Sequence, residues 1–401
     1  MSGITAPTTN INQSRRSQPW LNNWLYDGAL ILAPAFLSSI FALLLGSGLK
    51  NTSELESLPT IAWVLLVLMV DVAHVYATLF RTYMDEKARQ ANGTLLFVLP
   101  LACYIVGVIF YSMGAILFWR CLAYLAVFHF IRQQYGFLIL YSRGDGQPKW
   151  ARLLDQAVIY AATIYPLIYW HSNLPRHFNW FVEGDFYTKI PAIELIDQGA
   201  LYLYIALMLV YFGKELAGFM RSGYINIPRN LLVLGTSISW WVGIVATNCD
   251  LIFTMTNVLS HGIPYMALVW LYHRQTAGRR DSDSGRDGVL NTEAEEQTAS
   301  ADATRSSVSK ILTKFTHACL TIAPLFFFFL VFLAYLEEGL WDGMVWREHL
   351  TLFAPFSGLP QIEDKTWLAL LVPFLSLPQS THYALDGFIW RVKDRDSTWS
   401  A

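Results

Sequence analysis

The sequence predicts an all-α, polytopic integral membrane helical bundle of about ten transmembrane helices with both termini cytoplasmic. Three observations predict it. Only 14% of the 401 residues are charged, against about 25% in soluble chains. Apolar stretches repeatedly reach the roughly 20 residues that cross a bilayer as helix. Lys and Arg collect in alternate connections, as they do on the cytoplasmic side of membranes.

A polar tail, 1–23, lacks the apolar core of a cleavable signal peptide and precedes the first span. A hydropathy window of about 19 residues then places spans at 24–48, 60–81, 94–117, 119–141, 153–171, 198–219, 231–247 and 250–272. Those eight form a membrane unit, 24–272. A solvated linker, 273–310, rich in Ser, Asp, Glu, Thr and Arg, is expected to be disordered. Spans nine and ten, 311–337 and 366–389, belong to a second membrane unit, 311–391, before a tail at 392–401. With the N-terminus inside, 21 basic residues fall on the cytoplasmic side and six outside, while Arg132 lies within a span. That asymmetry favours an even number of spans and a bacterial inner (cytoplasmic) membrane location. Two outside loops, 171–197 and 338–365, are long enough for structure of their own. Their aromatics, among them Trp180, Phe181, Phe186, Trp341 and Trp346, are expected to form an interfacial belt, with a substrate lid as the other reading.

Composition excludes some functions. A net charge of −2 offers nucleic acid no electrostatic footprint. The four cysteines stand singly, with no CxxC pair, and read as small core residues. No repeat of 20–50 residues or inverted pair of the transporter kind is visible.

Ionisable groups at membrane depth cost a few kcal/mol each unless they meet a partner or water. Span two carries Asp71, His74, Thr78 and Arg81; span four carries His129, Arg132, Gln133 and Tyr135. Span eight carries Ser260, His261, Pro264 and Tyr265, and span ten carries His382 and Asp386. Asp71 and His74 are three apart, while His129 and Gln133, like His382 and Asp386, are four apart, so each pair shares a helix side. Thr78 continues the stripe of His74. His74 and His382 lie seven and nine residues from Arg81 and Arg391, or roughly 10–14 Å of depth at about 1.5 Å per residue. His129 and His261 fall at a similar level.

Four imidazoles from four spans therefore point to a metal site, since neutral imidazole is the commonest metal ligand. The expected ligands are His74, His129, His261 and His382, with Asp386 and Asp71 as further ligands or as carboxylates orienting a ring. The expected cofactor is iron, with copper or zinc as alternatives, as one or two ions. Arg132 and Tyr135 are the expected catalytic side chains, Arg132 pairing with Asp71 or Asp386 or gripping a substrate carboxylate or phosphate. His171, His177, His273, His317 and His349 have no matching partners and are left out of the site.

Dispersed membrane histidines resemble those of integral-membrane iron oxygenases, desaturases and hydroxylases, although the compact HxxxH and HxxHH boxes of those families are absent. A single metal held by four scattered histidines is closer to the pattern of membrane carotenoid-cleaving dioxygenases. These resemblances imply a metal-dependent membrane oxidoreductase in lipid metabolism, acting on a lipid or other apolar substrate reached from the inner leaflet. An electron-donor protein and membrane lipids would be its partners. Two alternatives stand beside it. His261-Gly262 followed by Trp270 and His273 is similar to the histidine segment of membrane-bound O-acyltransferases, where His261 would act as general base. A proton-coupled transporter would use the His/Asp groups as a relay.

Overall fold

The computed structural model describes residues 17–48, 58–287 and 307–389. Residues 1–16 of the expected tail 1–23, the tail at 392–401 and the middle of the 273–310 linker lie outside those residues. Among the described residues the chain is all-helical, about 80% helix with no strand, and seven helices are long and apolar enough to cross a membrane.

Helix α1 runs from Trp24–Asp27 through a π-helical turn, Gly28–Leu32, into Ala33–Gly48. Its start is capped by Asn23, whose side chain accepts from the amides of Leu25 and Tyr26. Helix α2, Thr60–Arg81, contains a π-helical stretch at Val64–Val72 directly before His74. Then come α3 (Glu86–Met113), α4 (Ala115–Tyr141), α5 (Lys149–Ser172), α6 (Ile193–Ser222), α7 (Ile227–Ala246) and α8 (Asp250–Asp287). The last four are α9 (Ser307–Thr321), α10 (Ala323–Trp346), α11 (Lys365–Leu375) and α12 (Leu377–Ile389). Helix α8 packs against α1, α2 and α7, and α12 packs against α2, α3 and α4. Thus α2, α4, α8 and α12 face a common centre.

Several expected boundaries move for local reasons. The third and fourth spans meet at Gly114, not near residue 118, because its φ of 156° suits glycine alone. The ninth span, read as 311–337, is interrupted at Ile322 in extended conformation, and α10 restarts there with a proline in its first turn. It then continues to Trp346, so the expected outer loop 338–365 begins as helix. The tenth span, 366–389, divides at Ser376 into α11 and α12. Helix α8 continues to Asp287 and α9 begins at Ser307, so both described ends of the 273–310 linker are helical.

The loop after α5, expected outside, is not a loose belt. Phe178 and Phe186 are buried, packing on Trp170 and Phe253. Trp341 is buried too, stacked on Trp346 and near Trp119. These rings close one side of the bundle, because an indole or phenyl gains more by leaving water entirely than by resting at an interface.

Elsewhere a buried charge network ties α5, α6 and α7 together. Arg229 Nη1 reaches Asp145 Oδ2 at 2.5 Å, its Nη2 reaches Glu215 Oε1 at 2.6 Å, and Lys214 pairs with Asp155 and Glu215. Arg229, Asp155 and Glu215 are all buried. Removing one partner would leave carboxylates without compensation, a loss of about 3–5 kcal/mol. Arg229→Ala is accordingly expected to lower the unfolding midpoint sharply in detergent, measured by thermal denaturation. An unchanged midpoint would mean that the network contributes nothing to stability.

Candidate metal centre

The four histidines meet. His74 from α2, His129 from α4, His261 from α8 and His382 from α12 each offer one ring nitrogen, and those nitrogens lie within 4.8 Å of one another. Each residue is 1–2% exposed, so the centre is closed to bulk water. Nε2 of His261 lies 3.1 Å from Nε2 of His129 and 3.1 Å from Nε2 of His74. The His382 ring centroid is 4.4 Å from that of His129 and 5.0 Å from that of His74. Among the described residues, no other group of three or more His, Cys, Asp or Glu side chains gathers its ligand atoms in this way.

Each ring is held from behind. His74 Nδ1 faces the carbonyl oxygen of Val70 at 3.2 Å. A carbonyl only accepts, so Nδ1 carries the proton and Nε2 keeps its lone pair facing inward. His129 Nδ1 is 3.4 Å from Asp386 Oδ2, and His382 Nδ1 is 2.6 Å from Thr78 Oγ1. His261 is oriented instead by stacking: the Phe130 ring lies 3.6 Å away, with its plane inclined by 9°. The His261 carbonyl also accepts from Gln133 Nε2 at 2.9 Å. Such support fixes ring direction and raises ligand basicity.

Hydrogen bonding alone does not satisfy this cluster. One N–H on His261 Nε2 cannot point at both neighbouring nitrogens, and with His74 protonated on Nδ1 its Nε2 is an acceptor only. A cation at the centre satisfies all the lone pairs together. At metal–nitrogen lengths of about 2.0–2.1 Å, two nitrogens on one ion stand about 3.0–3.4 Å apart, which brackets the observed 3.1 Å contacts. Opposed ligands on one ion would be about 4.2 Å apart on the same bond lengths, so the widest pair has to close slightly to share it.

The other expected site residues lie elsewhere. Asp386 is behind the rings, with Oδ1 accepting from the Tyr265 hydroxyl at 2.8 Å and Oδ2 toward His129. Asp71 sits on the Nδ1 side of His74 at 3.8 Å and is partly exposed. Both carboxylates therefore sit where second partners of the rings belong, outside the set of four converging nitrogens. Arg132 and Tyr135 are away from the centre. Arg132 is exposed, donates to the Tyr160 hydroxyl at 3.0 Å and lies over the Tyr135 ring. Tyr135 packs beside Tyr160. Arg132 therefore pairs with neither Asp71 nor Asp386. Of the five histidines left out, three are engaged elsewhere: His171 with Tyr124, His273 with the Phe80 carbonyl, and His349 against Trp63.

Spacing alone does not single out the side chains that replace them. Tyr265, one turn after His261, is 1% exposed and lies 4.9 Å from the His382 ring. Phe130, next to His129, and Tyr383, next to His382, complete the wall. Trp180 from the loop after α5 rests 5.1 Å from Phe130, so one aromatic ring separates that loop from the imidazoles. Beside the same aromatic layer is an apolar cavity of about 280 Å³, lined by Tyr124, Val127, Ile164, Leu167, His171 and Phe186 among others.

The chain matches no family model, no curated protein and no solved structure. Its chemistry is read from its own residues.

Proposed function

We propose that the chain is a metal-dependent membrane oxidoreductase of the oxygenase, desaturase or hydroxylase type. Its substrate is a lipid or other apolar molecule. The observation that carries this reading is the convergence of four neutral, water-excluded nitrogen donors, three of them backed by a hydrogen-bond acceptor or a carboxylate. Nitrogen-only donor sets suit iron, copper or zinc. The inward ligand set contains no carboxylate to bridge two metals, which favours one ion over two. Held by four imidazoles, iron would supply binding and activation of O₂, leaving coordination positions beyond those four.

The chain's own residues do the rest. Val70, Asp386 and Thr78 keep ring protons on the outside, and Phe130 and Tyr383 exclude water. Closure of one side by Phe178, Phe186 and Trp180 favours approach from the other leaflet. An electron-donor protein belongs to the proposal where the reaction inserts only one oxygen atom.

The ten-span topology with cytoplasmic termini is part of the same proposal. Besides the seven strongly apolar helices, α5, α8 and the α11–α12 pair supply three more crossings. Their hydropathy is lowered by residues such as Asp155, Asn257, His261 and His382, which the interior uses.

Elemental analysis of the detergent-purified protein, coupled to O₂ consumption with added membrane lipid extracts, tests the function. Stoichiometric iron or copper with substrate-dependent O₂ uptake is expected. Protein free of transition metal after purification from iron- and copper-replete medium removes the proposal.

A further inference from the structure

We infer that Tyr265 and Thr78 set the tautomer of His382, so that its Nε2 lone pair faces the other three imidazoles. The functional meaning of this rests on the metal reading above; its hydrogen-bond chemistry does not.

The four rings are not oriented by the same device. His74 faces a carbonyl, which only accepts, so its Nδ1 donates, and His129 Nδ1 lies 3.4 Å from a carboxylate, beside which a proton is favoured over a lone pair. His382 faces a hydroxyl, which either donates or accepts. Its tautomer is therefore decided further along the chain of contacts. Thr78 Oγ1 stands 2.6 Å from His382 Nδ1 and 2.9 Å from the Tyr265 oxygen. Tyr265 in turn donates its hydroxyl hydrogen to Asp386 Oδ1 at 2.8 Å. With that single hydrogen committed to the carboxylate, the Tyr265 oxygen accepts from Thr78. The one hydrogen of Thr78 is thereby used, and its oxygen accepts from His382 Nδ1–H. A neutral imidazole has one N–H, so Nε2 carries the lone pair.

The far side of the ring agrees. His382 Nε2 is buried and makes no hydrogen bond to the protein. A donor N–H there would be stranded at a cost of about 1–3 kcal/mol, whereas a lone pair at that place is a metal ligand. Thr78, Tyr265 and His382 are all buried, so water does not interrupt the chain. Tyr265 and Thr78 are thus positioning residues, acting on the centre through His382.

The test uses the full-length protein with ¹⁵N-labelled histidine, stripped of metal by chelator and studied by NMR in detergent. The His382 signal is assigned by its loss in His382→Gln, and Zn²⁺ affinity is measured separately by titration. The proton is expected on Nδ1 in the wild type. In Tyr265→Phe the Thr78 hydroxyl is released to donate to His382, the proton moves to Nε2, and Zn²⁺ affinity falls about 10–100-fold. Thr78→Ser, which keeps the hydroxyl, stays at wild-type values in both measurements. Thr78→Val removes the middle of the chain and is expected to give mixed tautomers, which preserves the test if the Phe variant fails to fold. A wild-type proton on Nε2, or a proton still on Nδ1 in both Tyr265→Phe and Thr78→Val, overturns the inference. Correct tautomers with no Zn²⁺ bound by any form, wild type included, support the tautomer assignment and overturn the metal reading instead.

Discussion

Replacing any one of His74, His129, His261 or His382 by Ala is expected to strip the metal from the purified protein while leaving the helical bundle folded. Tight four-ligand sites hold an ion with about 10–16 kcal/mol of apparent binding free energy. Shared among four donors this is about 2.5–4 kcal/mol each, or roughly a 10²–10³-fold loss of affinity per ligand at 1.4 kcal/mol per tenfold. Binding weakened to that extent does not survive detergent extraction and dialysis. Fold is less affected, because each imidazole occupies a small volume at the junction of large aromatic clusters. Arg132→Ala and Tyr135→Ala are the controls: both side chains engage Tyr160 rather than the centre and are expected to retain full metal. Elemental analysis of the six variants beside circular dichroism decides the matter. Metal retained in two or more of the histidine variants would falsify a shared four-imidazole site.

How far the site was legible depends on which geometric question is asked. Depth follows from counting residues along helices, because the rise is constant, and that count brought four histidines to one level. Same-side pairs at i+4 were equally readable: Gln133 does reach across to His261, and Asp386 does lie beside His129. Direction at i+3 was not. Arg132 is rotated about 60° from His129 in the opposite sense to Gln133, and its long stem follows the flank to Tyr160. Which of two carboxylates ligates and which stands behind a ring is likewise a matter of ångströms that spacing does not carry. Tyr265 left a readable mark, one turn after His261, yet its role depends on Thr78 and Asp386 from two other helices.

Span boundaries failed where the backbone, not hydropathy, decides. Gly114, Ile322 and Ser376 interrupt helices inside stretches that hydropathy reads as unbroken spans. The polar side chains that build the interior also dilute the membrane signal of α8 and α12, which present His261 and His382. Composition similarly does not separate an aromatic belt from an aromatic plug. Phe178 and Phe186 turn inward because Trp170 and Phe253 offer them a surface, and that is a tertiary fact.

Gly262→Ala is expected to disable the centre without touching a ligand. Helices α2 and α8 approach so closely here that a Cβ on residue 262 would sit 2.8 Å from Val70 Cγ1, 3.2 Å from the Val70 carbonyl oxygen and 3.4 Å from His74 Nδ1. The valine methyl can rotate away, but the carbonyl belongs to the backbone. It is also the acceptor that holds His74 with its lone pair inward. Relief therefore requires α2 to move off α8, carrying Val70 and His74 together, which separates His74 from His261. Overpacking of this kind costs about 1–3 kcal/mol of stability, and drawing one of four ligands off the centre costs up to the roughly 10²–10³-fold in metal affinity that a whole ligand contributes. The two effects can be separated. Val70→Ala added to Gly262→Ala removes the 2.8 Å clash and is expected to recover most of the stability. The carbonyl contact remains, so metal affinity should stay depressed. Recovery of both in the double variant would place the damage in side-chain crowding alone, with no part for the contact between the new Cβ and the Val70 carbonyl.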